Sequence, residues 1–150
     1  MNTPFRVLTL LLLAGLSLVA ACSGDDDPLP VKRQIEANIQ QGDWLITKFI
    51  DSGVDETSNF TGYMFTFASG GVLNATNGTT TYAGTWSITD SNSNDDSQDD
   101  LDFVIYFSLT NDFESLNEDW EFISQSATKI ELIHESGGGG GTDYLTFERK

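Results

Sequence analysis

From Trp44 to Phe147 the chain repeatedly alternates apolar and polar residues, and this period of two restricts its fold more than any other feature. The alternation is clearest in residues 82–89, where even positions are apolar or glycine and odd positions are small or polar. Successive side chains of a strand point to opposite faces, so this segment is expected to be a half-buried β-strand. About eight short segments follow the pattern, with turn residues between neighbours, and together they predict an all-β domain.

The connections between these segments predict how the strands pair. Asn77-Gly78 separates residues 72–76 from residues 79–88 and is the strongest short hairpin signal in the chain. Both central residues of such a turn are expected to adopt positive φ. Consecutive hairpins form an antiparallel meander, and closing roughly eight strands into a ring removes the exposed edges. We therefore predict an up-and-down barrel, with a two-sheet sandwich as the less economical alternative.

Two short stretches depart from the strand pattern. Val31, Ile35 and Ile39 recur every four residues and predict a short N-terminal helix. Such a helix is marginal alone, so it is expected to pack against the barrel. Later in the chain, Phe113 and Leu116 indicate one helical turn in the connection between two strands.

Strand parity also assigns side chains to faces. Trp44, Ile46 and Ile50 have the same parity, so we expect them on one face of the first strand. His134 shares its parity with Leu132 and is interpreted as a structural residue near a strand end.

The N-terminal segment predicts where the protein resides. Arg6 is followed by the apolar run Val7–Ala21, which ends in small residues beside Cys22. A positive charge, about a dozen apolar residues and a small-residue end are typical of a secretory signal peptide, whereas a membrane-spanning helix needs about 20 apolar residues. Leu18–Cys22 resembles the bacterial lipobox, which implies cleavage before Cys22 and lipid attachment to that residue. The alternative is an ordinary signal peptide that ends near a cysteine.

This interpretation divides the chain into three parts: a signal peptide (1–21), an acidic tether (22–30) and a barrel domain (31–150). Residues 23–27 of the tether resemble the acidic export signal that sends lipoproteins to the outer face of the outer membrane in Bacteroidota-type bacteria. The resemblance implies an outer-membrane lipoprotein at the cell surface. A solvated spacer is the alternative for the same residues.

The charge of the mature chain limits its partners. Cleavage removes 21 of the 150 residues, including Arg6, which leaves 129 residues and changes the formal net charge from −16 to −17. This field repels phosphate backbones and anionic lipid headgroups, so nucleic acid is excluded as an expected partner. Stable membrane attachment takes about two acyl chains. The lipid on Cys22 is therefore expected to hold the protein on its membrane.

Little in the sequence points to catalysis. Cys22 is the only cysteine, and its acylation leaves no disulfide, no thiolate metal ligand and no thiol nucleophile. His134 is the only histidine, and no recognisable catalytic partner accompanies it. Carboxylate pairs such as Glu114 and Glu118 are expected by chance among 23 acidic residues. We predict no catalytic residue, no cofactor and no enzymatic activity.

The acidic segment from Asp90 to Asp102 has the density of oxygen ligands that calcium prefers. It departs from the EF-hand loop, because Asp95 stands where the sharp turn needs glycine and Leu101 stands where the bidentate glutamate belongs. A solvated acidic loop and a weak calcium site both remain open, and no metal site is assigned.

Three features of the chain resemble the lipocalin, or calycin, family. A short helix leads into Gly42-Asp43-Trp44, which matches the G-x-W motif of the family's first strand. Gly84-Thr85-Trp86 repeats the motif, as in the lipocalin-like lipoproteins of Bacteroidota. The last strand carries Arg149, and the family places a basic residue from this strand across the tryptophan. The resemblance implies that Trp44 and Arg149 close one end of the barrel, while its interior binds a small hydrophobic ligand.

The predicted interior is rich in aromatic side chains. The candidates for lining a ligand pocket are Tyr63, Phe65, Tyr82, Trp86, Phe103, Phe107 and Trp120. A ligand would enter at the end opposite Trp44 and Arg149. The same rings can instead fill the barrel as a packed core, which would leave a structural or interaction module of the cell envelope. An inward pocket of at least about 300 Å³ would favour the ligand hypothesis, and a filled barrel the other.

Overall fold

The structure, a computed structural model, describes residues 30–90, 100–137 and 141–150. In these ranges one α-helix precedes nine β-strands. They are α1 (Pro30–Ile39), β1 (Trp44–Asp51), β2 (Val54–Asp55), β3 (Met64–Ala68), β4 (Val72–Thr76), β5 (Thr81–Asp90), β6 (Leu101–Tyr106), β7 (Asp119–Gln125), β8 (Lys129–Glu135) and β9 (Thr142–Arg149). The predicted signal peptide, Cys22 and residues 91–99 of the predicted acidic loop lie outside the described residues. Within the described ranges, no helix is both long and apolar enough to cross a membrane.

The strands form a closed antiparallel barrel. Their order is β2-β1-β3-β4-β5-β6-β7-β8-β9, and β1 also pairs with β9 from Trp44↔Arg149 to Ile50↔Tyr144. Because β2 adds only two residues beside one end of β1, the ring consists of eight strands, β1 and β3–β9. Apart from the closing pair and the short β2, neighbours in the ring follow one another in sequence. The predicted eight-stranded up-and-down barrel is confirmed, and the sandwich alternative is wrong.

Helix α1 covers one end of this barrel. Ile35 and Ile39 are 0% and 1% exposed and Val31 packs beside them, so the predicted helical stripe is confirmed. Gly42 follows the helix with φ of +85°, a conformation that glycine adopts without strain and that turns the chain into β1. We call the end that holds α1, the start of β1 and the end of β9 the closed end, and we call the opposite end the mouth.

Strands β1 and β3 pair over only a small part of their length. The two strands share one residue pair, Trp44↔Phe65. Farther along β1, a 3-10 helix (Thr57–Phe60) covers the edge, because the Phe49 amide donates to Thr57 Oγ1 over 2.8 Å. This segment also inserts Phe60, which is 1% exposed, into the barrel.

A β-bulge reverses the faces of β1 partway along the strand. The register of β1 against β9 shifts between Ile46 and Lys48. One extra residue moves every later side chain to the other face, so Phe49 points inward and is 1% exposed. The prediction that Ile50 shares the face of Trp44 is therefore wrong, since parity alone does not detect the bulge.

The hairpin between β4 and β5 forms where it was predicted, but its turn is longer. The strands pair up to Thr76↔Thr81, which leaves a loop of four residues. Asn77 Oδ1 accepts hydrogen bonds from the amides of Thr79 and Thr80 at 3.0 and 2.8 Å. Of the two turn residues only Gly78 has positive φ, at +86°. The expectation of two positive φ angles is wrong because the Asn77 side chain stabilises this wider turn instead.

Candidate functional site

The closed end is held by contacts between the barrel and α1. Trp44 Nε1 donates a 2.9 Å hydrogen bond to the carbonyl of Ile39, and Arg149 Nη2 donates one of 2.7 Å to that of Asn38. The Arg149 guanidinium lies 4.9 Å from the centre of the Trp44 ring, a cation–π distance. Both carbonyls come from the last turn of α1, where carbonyls lack helical partners. The two residues predicted to close the barrel thus contact each other and fix the helix across this end.

The interior is filled with aromatic rings. Of the predicted lining residues, Phe65, Phe103, Phe107 and Trp120 are at most 1% exposed, Trp86 is 5% exposed, and Tyr63 and Tyr82 are half-buried. Ring centres lie 5.4 Å apart for Phe65 and Phe147, 5.3 Å for Phe67 and Phe103, and 5.7 Å for Phe67 and Trp86. These spacings are those of rings in direct contact. The predicted lining residues Phe65, Trp86 and Phe103 therefore pack against other rings of the core.

The mouth is closed by a plug formed by Phe113. Its side chain comes from a 3-10 helix (Asp112–Leu116), which confirms the predicted helical turn, and it is 3% exposed. Its ring centre lies 4.8 to 6.0 Å from five other rings, those of Phe60, Tyr63, Phe65, Tyr82 and Phe107. Trp120 Nε1 donates a 3.1 Å hydrogen bond to the Leu116 carbonyl and holds the far end of the helix. The expected entry route for a ligand is therefore occupied by the chain's own phenylalanine.

Sequence reasoning did not place three of these rings in the core, and each was missed for its own reason. Phe49 was hidden by the bulge in β1. Phe60 lies between the first two alternating segments, directly after the polar residues 55–59. Phe113 had a detectable signal, its spacing of three from Leu116 in the predicted helical turn. A single helical turn does not reveal whether it folds over the barrel or away from it.

Two tyrosines form the half-exposed rim of the mouth. The rings of Tyr63 and Tyr82 stack with centres 5.9 Å apart and planes inclined by 24°. Desolvation, and next the neighbouring Tyr82 hydroxyl, raise the pKa of Tyr63 above its usual value. The Tyr63 hydroxyl thus stays protonated at neutral pH and can donate a hydrogen bond at the edge of the plug.

Two pockets lie at the surface of the barrel, and the second borders the aromatic interior through Trp86. A pocket of about 240 Å³ opens beside β6 and the start of β7, lined by Val104, Ile105, Tyr106, Asn117, Glu118, Asp119 and His134. A second pocket, of about 280 Å³, lies at the closed end, lined by Glu36, Gln40, Gly70, Gly71, Trp86 and Ser87. No phenylalanine lines either pocket.

Two polar side chains of the first pocket, Asn117 and His134, make contacts within the fold. Asn117 Oδ1 accepts from the Phe107 amide over 2.6 Å, and Asn117 Nδ2 donates to the Phe107 carbonyl over 2.8 Å. His134 Nε2 lies 3.3 Å from a Glu118 oxygen, which is an ion pair when the imidazole is protonated. The Asn117 side chain therefore makes the hydrogen bonds to Phe107, the residue after β6, that a neighbouring strand would otherwise make. His134, at the end of β8, contacts Glu118.

Carboxylates cluster on the outer face of β6 and β7. Asp102 lies opposite Glu121 in the ladder. Partial burial, and then repulsion from Asp119 and Glu121, raise the pKa of Asp102 above its usual value. In the described ranges, no group of three or more histidine, cysteine or acidic side chains is arranged to hold a metal ion. Most of the segment considered for calcium, residues 91–99, lies outside those ranges.

Comparison with solved structures finds a protein of similar fold. The chain is similar to the crystal structure of a DUF4847 family protein from Bacteroides vulgatus, with a TM-score of 0.50 and 17% sequence identity. The match covers 77% of this chain and 97% of that one. No family model matches the chain, and no curated protein matches it. At this identity the similarity supports the barrel fold alone, and the lipocalin-like assignment and the lipid anchor stay predictions.

Proposed function

We propose that this chain is a lipid-anchored, non-enzymatic interaction module of the bacterial cell envelope, built on a filled barrel. The observation that carries the proposal is the aromatic interior, in which Phe113 closes the mouth and contacts five other rings. A packed interior stabilises the barrel and leaves its outer surface and loops as the regions that contact other molecules.

The size and position of the pockets support this function over the transport of a small hydrophobic ligand. Pockets that enclose drug-sized ligands usually measure about 300–1,000 Å³ and are mostly apolar. The surface pockets of about 240 and 280 Å³ are smaller, and no phenylalanine lines either of them. A barrel that carries an apolar molecule in its interior would require Phe113 to move.

The predicted anchor and charge complete the proposal. Lipid on Cys22 would attach the protein to the outer membrane, and residues 23–27 would direct it to the cell surface. The strongly negative chain disfavours nucleic acid and favours neutral or cationic surfaces on another envelope protein or glycan.

Native mass spectrometry of the full chain, released from detergent micelles, tests whether the barrel is filled by its own side chains. We expect the mass of the acylated polypeptide alone. The Phe113→Ala variant is the matched comparison, because it opens space inside the same barrel and should take up added indole. An apolar molecule that co-purifies with the wild-type chain in a one-to-one ratio would overturn the proposal in favour of a ligand carrier.

Fractionation of expressing cells tests the anchor. Cys22→Ser should move the chain from the membrane fraction to the soluble fraction, whereas the neighbouring Ser23→Ala should leave it on the membrane. Proteinase added to intact cells should digest the wild-type chain if it faces outward. A Cys22→Ser chain that still sediments with membranes would contradict lipid attachment at this residue.

A further inference from the structure

The pocket at the closed end, which we call the Trp86 pocket, is formed where three elements meet. Glu36 and Gln40 come from α1 and the residue after it, Gly70 and Gly71 from the turn between β3 and β4, and Trp86 and Ser87 from β5. The pocket measures about 280 Å³ and borders the aromatic interior through Trp86.

The floor of the Trp86 pocket is held rigidly. Trp86 Nε1 donates a 2.9 Å hydrogen bond to the Ala68 carbonyl, which fixes the indole beneath the turn. From the interior, the rings of Phe67 and Phe103 contact the same indole with centres 5.7 and 6.0 Å away. A pocket whose floor is already positioned loses little entropy when a ligand binds.

Two glycines line the pocket on the side of the turn. Gly70 and Gly71 have φ of +75° and +77°, which favours glycine over other residues. A Cβ on Gly71 would lie 3.0 Å from the Trp86 carbonyl oxygen, so the turn approaches β5 more closely than a side chain allows. A Cβ on Gly70 would meet no atom within 4 Å, because it would project into open space.

Three polar side chains of this pocket make no hydrogen bond or ion pair within the described part of the fold, in contrast to Asn117 and His134 of the first pocket. Among the described residues, the side chains of Glu36, Gln40 and Ser87 make no hydrogen bond or ion pair with one another or with other residues. They offer a carboxylate acceptor, an amide that donates and accepts, and a hydroxyl that donates and accepts. Small-molecule sites combine apolar surface with a few polar groups that orient the ligand.

We propose that the Trp86 pocket binds a small neutral molecule with several hydroxyl groups, the size of a single sugar ring. Each hydroxyl both donates and accepts, which matches the mixed groups of Gln40 and Ser87, and Glu36 adds an acceptor. The Glu36 carboxylate disfavours an anionic ligand. This site goes beyond the filled-barrel function, since it lies at the closed end and does not require Phe113, at the mouth, to move.

Proton–nitrogen correlation NMR on the full chain tests the proposal, in micelles of a detergent that has no sugar headgroup. The probes are D-glucose and N-acetyl-D-glucosamine, with glucuronate as the anion and ethanolammonium as the cation. We expect the neutral sugars to produce saturable shifts of the Trp86 indole proton and of the Gly70 and Gly71 amides. Glucuronate should shift these signals less.

Substitutions then assign the binding to these side chains. Gln40→Ala and Ser87→Ala should each weaken sugar binding about 2- to 10-fold, the effect of losing one hydrogen bond. Ser108→Ala, an exposed serine at the mouth, is the matched control and should leave the affinity unchanged. The spectrum of each variant reports directly whether it is folded.

Three outcomes would overturn the proposal. Neutral sugars could give no saturable shift up to about 100 mM, far above the dissociation constant of even a weak site. Ser87→Ala and Ser108→Ala could change the affinity for the sugar equally. Ethanolammonium could bind and Glu36→Gln abolish its binding, which would make this a cation site. None of these results bears on the filled interior, which the mass of the purified chain tests separately.

Discussion

The two ends of the barrel are closed by different interactions. At the closed end, Trp44 and Arg149 donate directed hydrogen bonds to carbonyls of α1. At the mouth, Phe113 fills space among five other rings without a side-chain hydrogen bond of its own. Hydrogen bonds position a helix at modest net energy, whereas a buried ring contributes through its volume. Truncation of Phe113 should therefore cost more stability than loss of the polar contacts of Arg149.

The largest effect is expected from Phe113→Ala. Removing the ring leaves a cavity among its neighbours, so the free energy of unfolding should fall by about 3–5 kcal/mol in urea denaturation. Phe113→Leu keeps most of the volume and should lose less. If Phe113→Ala cost under about 1 kcal/mol, within the range of ordinary substitutions, the plug would not be packed as described.

Gly84→Ala tests how closely the backbone of β5 approaches Tyr106 and Phe107, next to the Phe113 plug. A Cβ there would lie 2.5 Å from the Tyr106 carbonyl oxygen and 2.8 Å from the Phe107 ring, which itself contacts Phe113. Such overpacking should lower stability by about 1–3 kcal/mol, measured by thermal or urea unfolding. Gly137→Ala, where a Cβ meets no atom within 4 Å, is the matched control and should be close to neutral.

Arg149→Met measures the polar contacts of the closed end. The variant keeps an unbranched apolar side chain but loses the 2.7 Å hydrogen bond to Asn38 and the cation–π contact with Trp44. We expect a loss of about 1–2 kcal/mol in urea denaturation. Lys150→Met, at an exposed neighbour, should change stability by less than about 0.5 kcal/mol. An Arg149→Met loss larger than that of Phe113→Ala would reverse the comparison of the two ends.

The smallest effect is a pH dependence on the outer face of β6. Burial and the neighbouring carboxylates raise the pKa of Asp102 in the folded state, so the native chain binds this proton more tightly than the unfolded chain does. Its contribution therefore favours folding at low pH and is lost as pH rises through the folded-state pKa. Asp102→Asn should be more stable than wild type at neutral pH, by about 0.5 kcal/mol or less because the site is largely exposed.

The test for Asp102 compares urea denaturation at neutral pH with denaturation below pH 3.8, which is the usual pKa of an aspartate side chain. The advantage of Asp102→Asn should disappear at the lower pH. Glu121→Gln removes one source of repulsion and should change stability in the same direction, by less. An Asp102→Asn variant that is less stable than wild type at neutral pH would contradict the assigned repulsion.

Much of the fold could be predicted because its signals are local. The period of two along residues 82–89 depends only on one strand with one buried face, and the stripe of Ile35 and Ile39 depends only on one helix. The contact between Trp44 and Arg149 follows from strand parity once the lipocalin resemblance is considered. The position of Phe49 could not be predicted, because one bulge residue reverses parity without leaving a mark in the pattern.

The candidate site was less predictable than the fold. The sequence listed the inward aromatic residues but left open whether they line a pocket or fill it. Phe60 and Phe113 decide that question, and both come from 3-10 helices outside the strands. The Trp86 pocket had no sequence signal, because its groups come from three elements that only the folded barrel brings together.

The sequence by itself determined an antiparallel barrel with a short helix at its start, because alternation and helical spacing act over a few neighbouring residues. Only the tertiary structure decided that the barrel is filled and that its mouth is closed. Ring packing depends on the volume left between distant segments, and no pattern along the chain records how much of that volume another segment already occupies.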